Sequence, residues 1–350
     1  MMKVISANQH DRWNEIVRSF KNWDIYYLNE YAVSFQMHGD GTPFLLYFES
    51  GESRMCYVVM QNDIAYAPYF KNKIEEGKYY DWETPYGYGG PLSDDTIPED
   101  KQRTFMDELC GYCVKNGIVS QFLRFHPLLL NHESAPVLFE TRYLRDTIFI
   151  STQSPEQIMA DMDSKNRNMV RKAIKNDVTI VRKPISEYQD FIPMYEETML
   201  KDEADEYYTF HEDYFRYQST LSDHACFFYA MKDSQPIAGA IMYYNDRFMH
   251  YHLAGTHTEY RKYSPSNLLL YEASVWASQQ GISKFHLGGG LSPDDNLFGF
   301  KKQFNKNGRL PFCVGRTIFM KDAYSSLLSI RQSSDPSFDP ENGRMIQYRA

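Results

Sequence analysis

Two lysines stand side by side among phenylalanines in FHLGGGLSPDDNLFGFKKQFN, Phe285 to Asn305. A lysine drawn along aromatic surface presents its ammonium in a partly enclosed medium, where positive charge stabilises an oxyanion far better than in open water. With Leu297 to Phe304 helical, Leu297, Phe300 and Phe304 share one face; Lys301 falls at its inner margin and Lys302 turns outward. The spacing therefore selects Lys301, with Phe300 as its wall. The same stretch opens on Gly288, Gly289 and Gly290 after an apolar run, where α/β sheets bind ligands. No Lys-Ser or Lys-Thr follows at phosphate-loop spacing, and Pro293, Asp294 and Asp295 intervene before any helix. The glycines read as a backbone-exposing turn at a cleft edge.

Three further groups carry chemical potential. In HYH, His250 and His252 point to one face of a strand and Tyr251 to the other, with His286 on a strand expected alongside. No carboxylate or cysteine is placed to complete a zinc site, so these are expected to be core or cleft histidines, and no metal is expected. Around DSKNRNMVRKAIKNDV, Met162, Met169, Val170, Ala173 and Ile174 gather on one side of a helix, while Lys165, Arg167, Arg171, Lys172 and Lys175 take the other. A solvated face is the plain reading; a basic run without a carboxylate points to a phosphate-bearing partner. No base stands out: Asp294, Asp295 and Glu259 are available, and an ester's leaving oxygen can also take the proton.

The net charge of −9 sets a frame for that partner, because the protein as a whole repels nucleic acid and anionic membranes. The five cysteines are odd in number and scattered, which argues for a reducing, cytoplasmic compartment over a disulfide framework. Neither an apolar leader nor a long apolar run is visible, so neither secretion nor membrane spanning is expected.

One pattern positions these residues, and it is used twice. TPFLLYFES, RMCYVVMQ and DIAYAPYF read as strands, followed by a helix ending at Gly117 and the strand IVSQFLRFHPL. ACFFYAMKD, PIAGAIMYYN and RFMHYHLAG repeat this, followed by a helix opening at Ser264-Pro265 and ending at Gly281, then ISKFHLGGG. The expectation is an α/β fold of two tandem domains with mixed sheets flanked by helices: 1–152, 153–332, and a polar tail over 333–350 that wraps or frays.

EYRKYSPSNLLL resembles the pyrophosphate loop of GNAT acetyltransferases, with Arg261, Ser264 and Ser266 in register. Both glycines of that loop are replaced, and Pro265 offers no N–H. With YGYGGP (Tyr86 to Pro91), KNRNMVRKAIKNDV, HYHLAGT and LFGFKKQFN, the chain resembles the FemABX family of tandem GNAT-like proteins, without a coiled-coil arm. The resemblance implies transfer of an aminoacyl group from aminoacyl-tRNA to an amine of a peptidoglycan precursor, with no cofactor. It places Phe300 and Lys301 in the catalytic channel, and Tyr251, from the strand alternation above, is the tyrosine to test beside them. Tyr86, Tyr88, Gly89 and Gly90 lie by the acceptor, and His252, His286, Gly288 and Gly289 join the substrate contacts. Lys165, Arg171, Lys172 and Lys175 fall to the tRNA. DIYYLNEYAV, where family members carry basic residues, has none. Two rival readings stand beside this one: an N-acyltransferase using acetyl-CoA or another acyl-CoA on a cell-envelope sugar or amine, and a non-catalytic binding protein of the same fold.

Overall fold

The computed structural model describes residues 1–350. In chain order its strands are β1 (Met2–Ser6), β2 (Thr42–Ser50), β3 (Ser53–Asp63), β4 (Tyr80–Glu83), β5 (Ile118–Arg124) and β6 (Glu140–Ser151). There follow β7 (Thr179–Pro184), β8 (Ala225–Lys232), β9 (Gln235–Tyr244), β10 (Phe248–Thr256), β11 (Lys284–Gly288) and β12 (Arg309–Ile318). The helices are α1 (His10–Arg18), α2 (Asn29–His38), α3 (Glu99–Lys115), α4 (Pro155–Asp161) and α5 (Ser164–Lys175). They continue with α6 (Phe191–Lys201), α7 (Glu212–Gln218), α8 (Pro265–Gln279), α9 (Asn296–Lys302) and α10 (Lys321–Ser334). No helix is long and apolar enough to cross a membrane.

The chain divides into two compact units, Met1–Leu144 with Phe312–Ala350, and Arg145–Pro311. In the first unit β1, β2, β3 and β4 pair antiparallel in turn, β4 pairs parallel with β5, and β5 pairs antiparallel with β12. In the second, β7, β8, β9 and β10 pair antiparallel in turn, β10 pairs parallel with β11, and β11 pairs antiparallel with β6. The pattern is the same in both, in the mixed α/β architecture expected. Each unit's sixth strand comes from elsewhere in the sequence: β6 precedes the other five strands of the second sheet, and β12 follows them before completing the first.

That exchange changes the boundaries. The division drawn at 152 sits close to the start of the second unit, but 312–332 do not belong with it. Residues 314–318 are in register with β5, and Phe319 and Met320 donate backbone N–H groups to Val119. The segment 333–350 wraps rather than frays. Tyr348 is buried, its hydroxyl on Asp81 at 2.9 Å, and Arg349 grips both oxygens of the same carboxylate. A second difference lies at DIAYAPYF. Asp63 ends β3 by accepting from the N–H groups of Ala65 and Gly77, and the chain turns through a short 3-10 segment at Ile64–Tyr66. The strand beside β3 is instead the four-residue YDWE of β4.

In the second unit α8 lies against the sheet through Leu268, Leu269, Leu270, Ala273 and Ala277, all buried. Its ends follow the sequence signals: Pro265 occupies the first helical position and Gly281 takes a φ of +77° that a side chain would strain. Ser264 stands at the cap position, but its hydroxyl goes to Met169 Sδ instead of an α8 N–H. On the other face α6 crosses β10 so closely that a Cβ on Gly255 would lie 2.5 Å from the backbone of Met194 and Tyr195. Gly255→Ala should therefore force the helix off the strand and cost about 1–3 kcal/mol, measured by urea denaturation; an unchanged midpoint would show that the packing there is slack.

Candidate active site

Parallel pairing of β10 with β11 runs only from Phe248↔Lys284 to His250↔His286. Beyond it the two strands part company. β10 continues to Thr256 along β9, with a register shift between Tyr251 and Ala254. β11 follows β6, where Gly288 meets Ile148 after a shift of its own. The result is a wedge whose banks are Tyr251 to Thr256 on one side and Leu287 to Gly290 on the other. The corresponding wedge in the first unit is closed. There β4–β5 pairing is carried on by Gly89, whose N–H reaches Arg124 O at 2.7 Å in a parallel bridge to Phe125.

Lys301 reaches across the open wedge. Its Nζ donates to Gly289 O at 2.7 Å on the β11 bank and lies 5.8 Å from the centre of the Tyr251 ring on the β10 bank. The side chain is 8% exposed, and burial lowers its pKa to about 8, with Asp295 acting in the opposite sense. Near neutrality the group is thus an ammonium that gives up its proton readily. The Tyr251 phenol is pushed well above its ordinary value by burial, so it stays protonated.

Two details of α9 differ from the helical projection. Asp295 caps the helix by accepting from Phe298 N, which fixes its rotation. The residues turned inward are Phe298 and Lys301, while Leu297 is 43% exposed and Phe300 half-buried against Phe304. Lys301 therefore sits nearer the middle of the buried side than the pattern of phenylalanines implied, and Lys302 is only half-buried. Asp295 also accepts from Leu291 N at 2.6 Å and Ser292 N at 2.9 Å. Burial raises its pKa, but these N–H groups outweigh that and leave it lowered, which makes it a poor base. Asp294 pairs with Arg309 at 3.4 Å, and Glu259 is exposed on the segment after β10.

The remaining candidates separate. The ring centres of His250 and His286 lie 5.8 Å apart, with His286 Nε2 on Thr147 Oγ1 at 2.9 Å. His252 bonds the Tyr214 hydroxyl at 2.7 Å and is held neutral, its pKa lowered to about 3 by burial and by His250. Tyr86, Tyr88, Gly89 and Gly90 belong to the first unit, where the loop is tied by Tyr31 OH to Tyr86 O, Tyr27 OH to Gly89 O and Asn131 Nδ2 to Gly89 O. Gly89 and Gly90 are buried; Tyr86 and Tyr88 are half-exposed. Arg261 is exposed in the 3-10 segment Thr258–Tyr263, whereas Ser266 Oγ bonds Thr256 Oγ1 at 3.0 Å.

On α5, Lys165, Arg171, Lys172 and Lys175 are exposed, and none of them forms an ion pair. Arg167 leaves the basic face to donate to Met159 O and Met162 O at the end of α4, and Ile174 is exposed instead of packing inward. The cations continue onto the 3-10 segment. Met169 meets Ser264, while Lys232 donates to Asn176 O and lies over the Tyr263 ring, which Lys262 also faces. The sequence did not mark Arg145, which binds the glycine turn, or the Glu197–His257 pair at 2.6 Å. A charge opening the apolar run RDTIFI was the available signal for Arg145.

This architecture and wedge define a GNAT-type fold in tandem, and residues 165–302 match the family model described as an acetyltransferase (GNAT) domain, an acyltransferase class. Among solved structures the chain is similar to FemX, with a TM-score of 0.68 at 13% identity over 93% of this chain and 99% of that one. It is also similar to the C-terminal domain (DUF2156) of a putative lysylphosphatidylglycerol synthetase from Agrobacterium fabrum, at 0.55 and 14% identity over 93% and 96%. A tandem GNAT protein from the clavulanic acid biosynthesis pathway follows at 0.51 and 9% identity over 91% and 99%. Among curated proteins none matches the sequence.

Lys301 binds its proton less tightly folded than at the ordinary value of 10.5, so between about pH 8 and 10.5 the unfolded chain holds more protons and folding stability rises with pH. Lys301→Met removes that dependence. Urea unfolding of both proteins should show the wild type gaining on the variant across this window; parallel profiles would mean an unperturbed ammonium.

Proposed function

We propose that this chain is an aminoacyltransferase that moves an aminoacyl group from aminoacyl-tRNA to an amine of a peptidoglycan precursor. The observation that carries the reading is the Lys301 ammonium held across the wedge between β10 and β11, against the Tyr251 ring. The acceptor nitrogen attacks the ester carbonyl carbon, and the oxyanion forms beside Nζ. The carbon–oxygen ester bond then breaks, and the ribose oxygen leaves with the proton given up by the attacking amine. The new bond is an amide. Alignment in the wedge supplies much of the rate, and no separate carboxylate base is required, in keeping with the tied-up state of Asp295.

The donor side is supported by the cations on α5 and the following 3-10 segment. Met169, Lys172 and Asn176 are spaced by three and four residues along α5, so Lys172 shares the stripe that meets Ser264 and Lys232. Lys262 beside Tyr263, Arg261 on the same 3-10 segment, and the exposed Lys165, Arg171, Lys172 and Lys175 of the adjoining α5 supply basic charge suited to a phosphate backbone. An acyl-CoA donor is the second reading, favoured by the GNAT match over 165–302. Against it, Ser264 and Ser266 spend their hydroxyls on Met169 and Thr256, and Asn166 of α5 accepts from Asn267 in the first turn of α8.

With charged tRNA as donor, Lys301→Met should lower turnover about 10²- to 10³-fold, and wild-type activity should fall as pH rises through about 8, where the ammonium is lost. Turnover within threefold of wild type ends the assignment. Binding measured against salt separates the donors. With tRNA the logarithm of affinity should fall steeply with the logarithm of salt. The combined changes Lys165→Glu, Arg171→Glu, Lys172→Glu and Lys175→Glu should flatten that slope by about 0.7–0.9 for each phosphate no longer engaged. Saturable acetyl-CoA binding with a flat tRNA response favours the second reading.

A further inference from the structure

We propose that Arg145 is a positioning residue for Lys301, acting through the turn Gly289–Leu291 that the two cations share. This rests on the reading of Lys301 given above and extends it to the group that fixes where the ammonium stands.

Lys301 Nζ is held by the carbonyl of Gly289. Arg145 Nη1 donates to the carbonyls of the next two residues, to Gly290 O at 2.6 Å and to Leu291 O. The Leu291 peptide unit is gripped from the amide side as well, since Asp295 Oδ2 accepts its N–H at 2.6 Å. Carbonyl oxygens are thus fixed by a guanidinium and amide hydrogens by a carboxylate, leaving the turn little freedom. Sterics close the remaining routes. A Cβ on Gly290 would lie 2.0 Å from Asp295 Oδ1, and one on Gly289 would lie 2.9 Å from Asp146 O. The glycines are needed because the backbone is pressed against its clamps.

Arg145 itself is poorly provided for, which is the sign that it serves the turn. Its neighbour Asp146 is taken by Arg309 at 2.6 Å, and no carboxylate pairs with the Arg145 guanidinium. Its Nε is buried and has no hydrogen-bond partner. An unmet buried donor is destabilising, and an apolar side chain of similar reach would avoid it. Stability alone therefore does not account for an arginine here. What it supplies is a planar fork able to bridge two successive carbonyls.

The charged and titratable groups facing Lys301 are Asp295 at the start of α9, Tyr251 on β10, and Arg145 on β6 through the turn. Removing Arg145 frees the Gly290 and Leu291 carbonyls, lets the Gly289 carbonyl drift, and admits water to Nζ. Burial is the largest influence holding down the proton affinity of Lys301, so entry of water raises that affinity and outweighs the weakened contact with Gly289 O.

The test titrates Lys301 in the full chain after reductive ¹³C-methylation, with the resonance assigned by its absence in Lys301→Arg. Arg145→Met should move the midpoint upward by about one pH unit or more, with Arg145→Lys in between because an ammonium restores a donor to the turn but not the planar fork. If Nζ resists methylation, the same ionisation is read from the pH dependence of urea unfolding in a double-mutant cycle with Lys301→Met. There Arg145→Met should shrink the gain in stability seen above pH 8. A midpoint, or a gain, equal to wild type in folded Arg145→Met overturns the proposal. Neither measurement needs a transfer substrate, so intact turnover in Lys301→Met would remove the catalytic reading while leaving the clamp to stand or fall by itself.

Discussion

The second unit is organised around the place where its one parallel strand pairing ends. After His250 and His286, β10 keeps to β9 and β11 keeps to β6, and neither bank satisfies the other. Such a gap between strands exposes backbone polar groups and apolar side chains together, and an unfilled gap is costly. Lys301 spans it with its head on the Gly289 carbonyl and beside the Tyr251 ring. The same placement lowers the proton affinity of the amine, because a site that excludes water penalises the charged form.

The two units began from one pattern and use it differently. In the first, Gly89 prolongs the parallel pairing, and Tyr27 and Asn131 fasten the loop that carries it. In the second, the equivalent strands diverge and the helix bearing Lys301 leans in. The strands of the two units pair in the same order, and in the first unit Gly89, Tyr27 and Asn131 keep the corresponding gap shut.

Local structure was legible where it was decided locally. Pro265 and Gly281 mark the ends of α8 because their backbone restrictions operate within a residue or two. The choice of Lys301 over Lys302 followed from helical spacing, although the rotation was set by the Asp295 cap, which put Phe298 inside and Leu297 outside. Features that depend on distant partners were hidden. YDWE is too short to announce itself as a strand, and exists because β3 and β5 receive it. Arg145 went unmarked, since its partners lie about 145 residues away along the chain. The division into units was obscured by the exchanged strands, whose apolar patterns name no partner.

That exchange bears on how the protein is made. During synthesis β5 emerges well before β12, and the strand that follows it directly, β6, is destined for the other sheet. The sheet with the wedge can therefore be finished while the earlier one still has an open flank of Ile118 to Arg124, a template for a wrong neighbour. The nascent chain has to withhold a strand from its nearest suitor until Phe312–Ala350 arrives, so the half born first matures last.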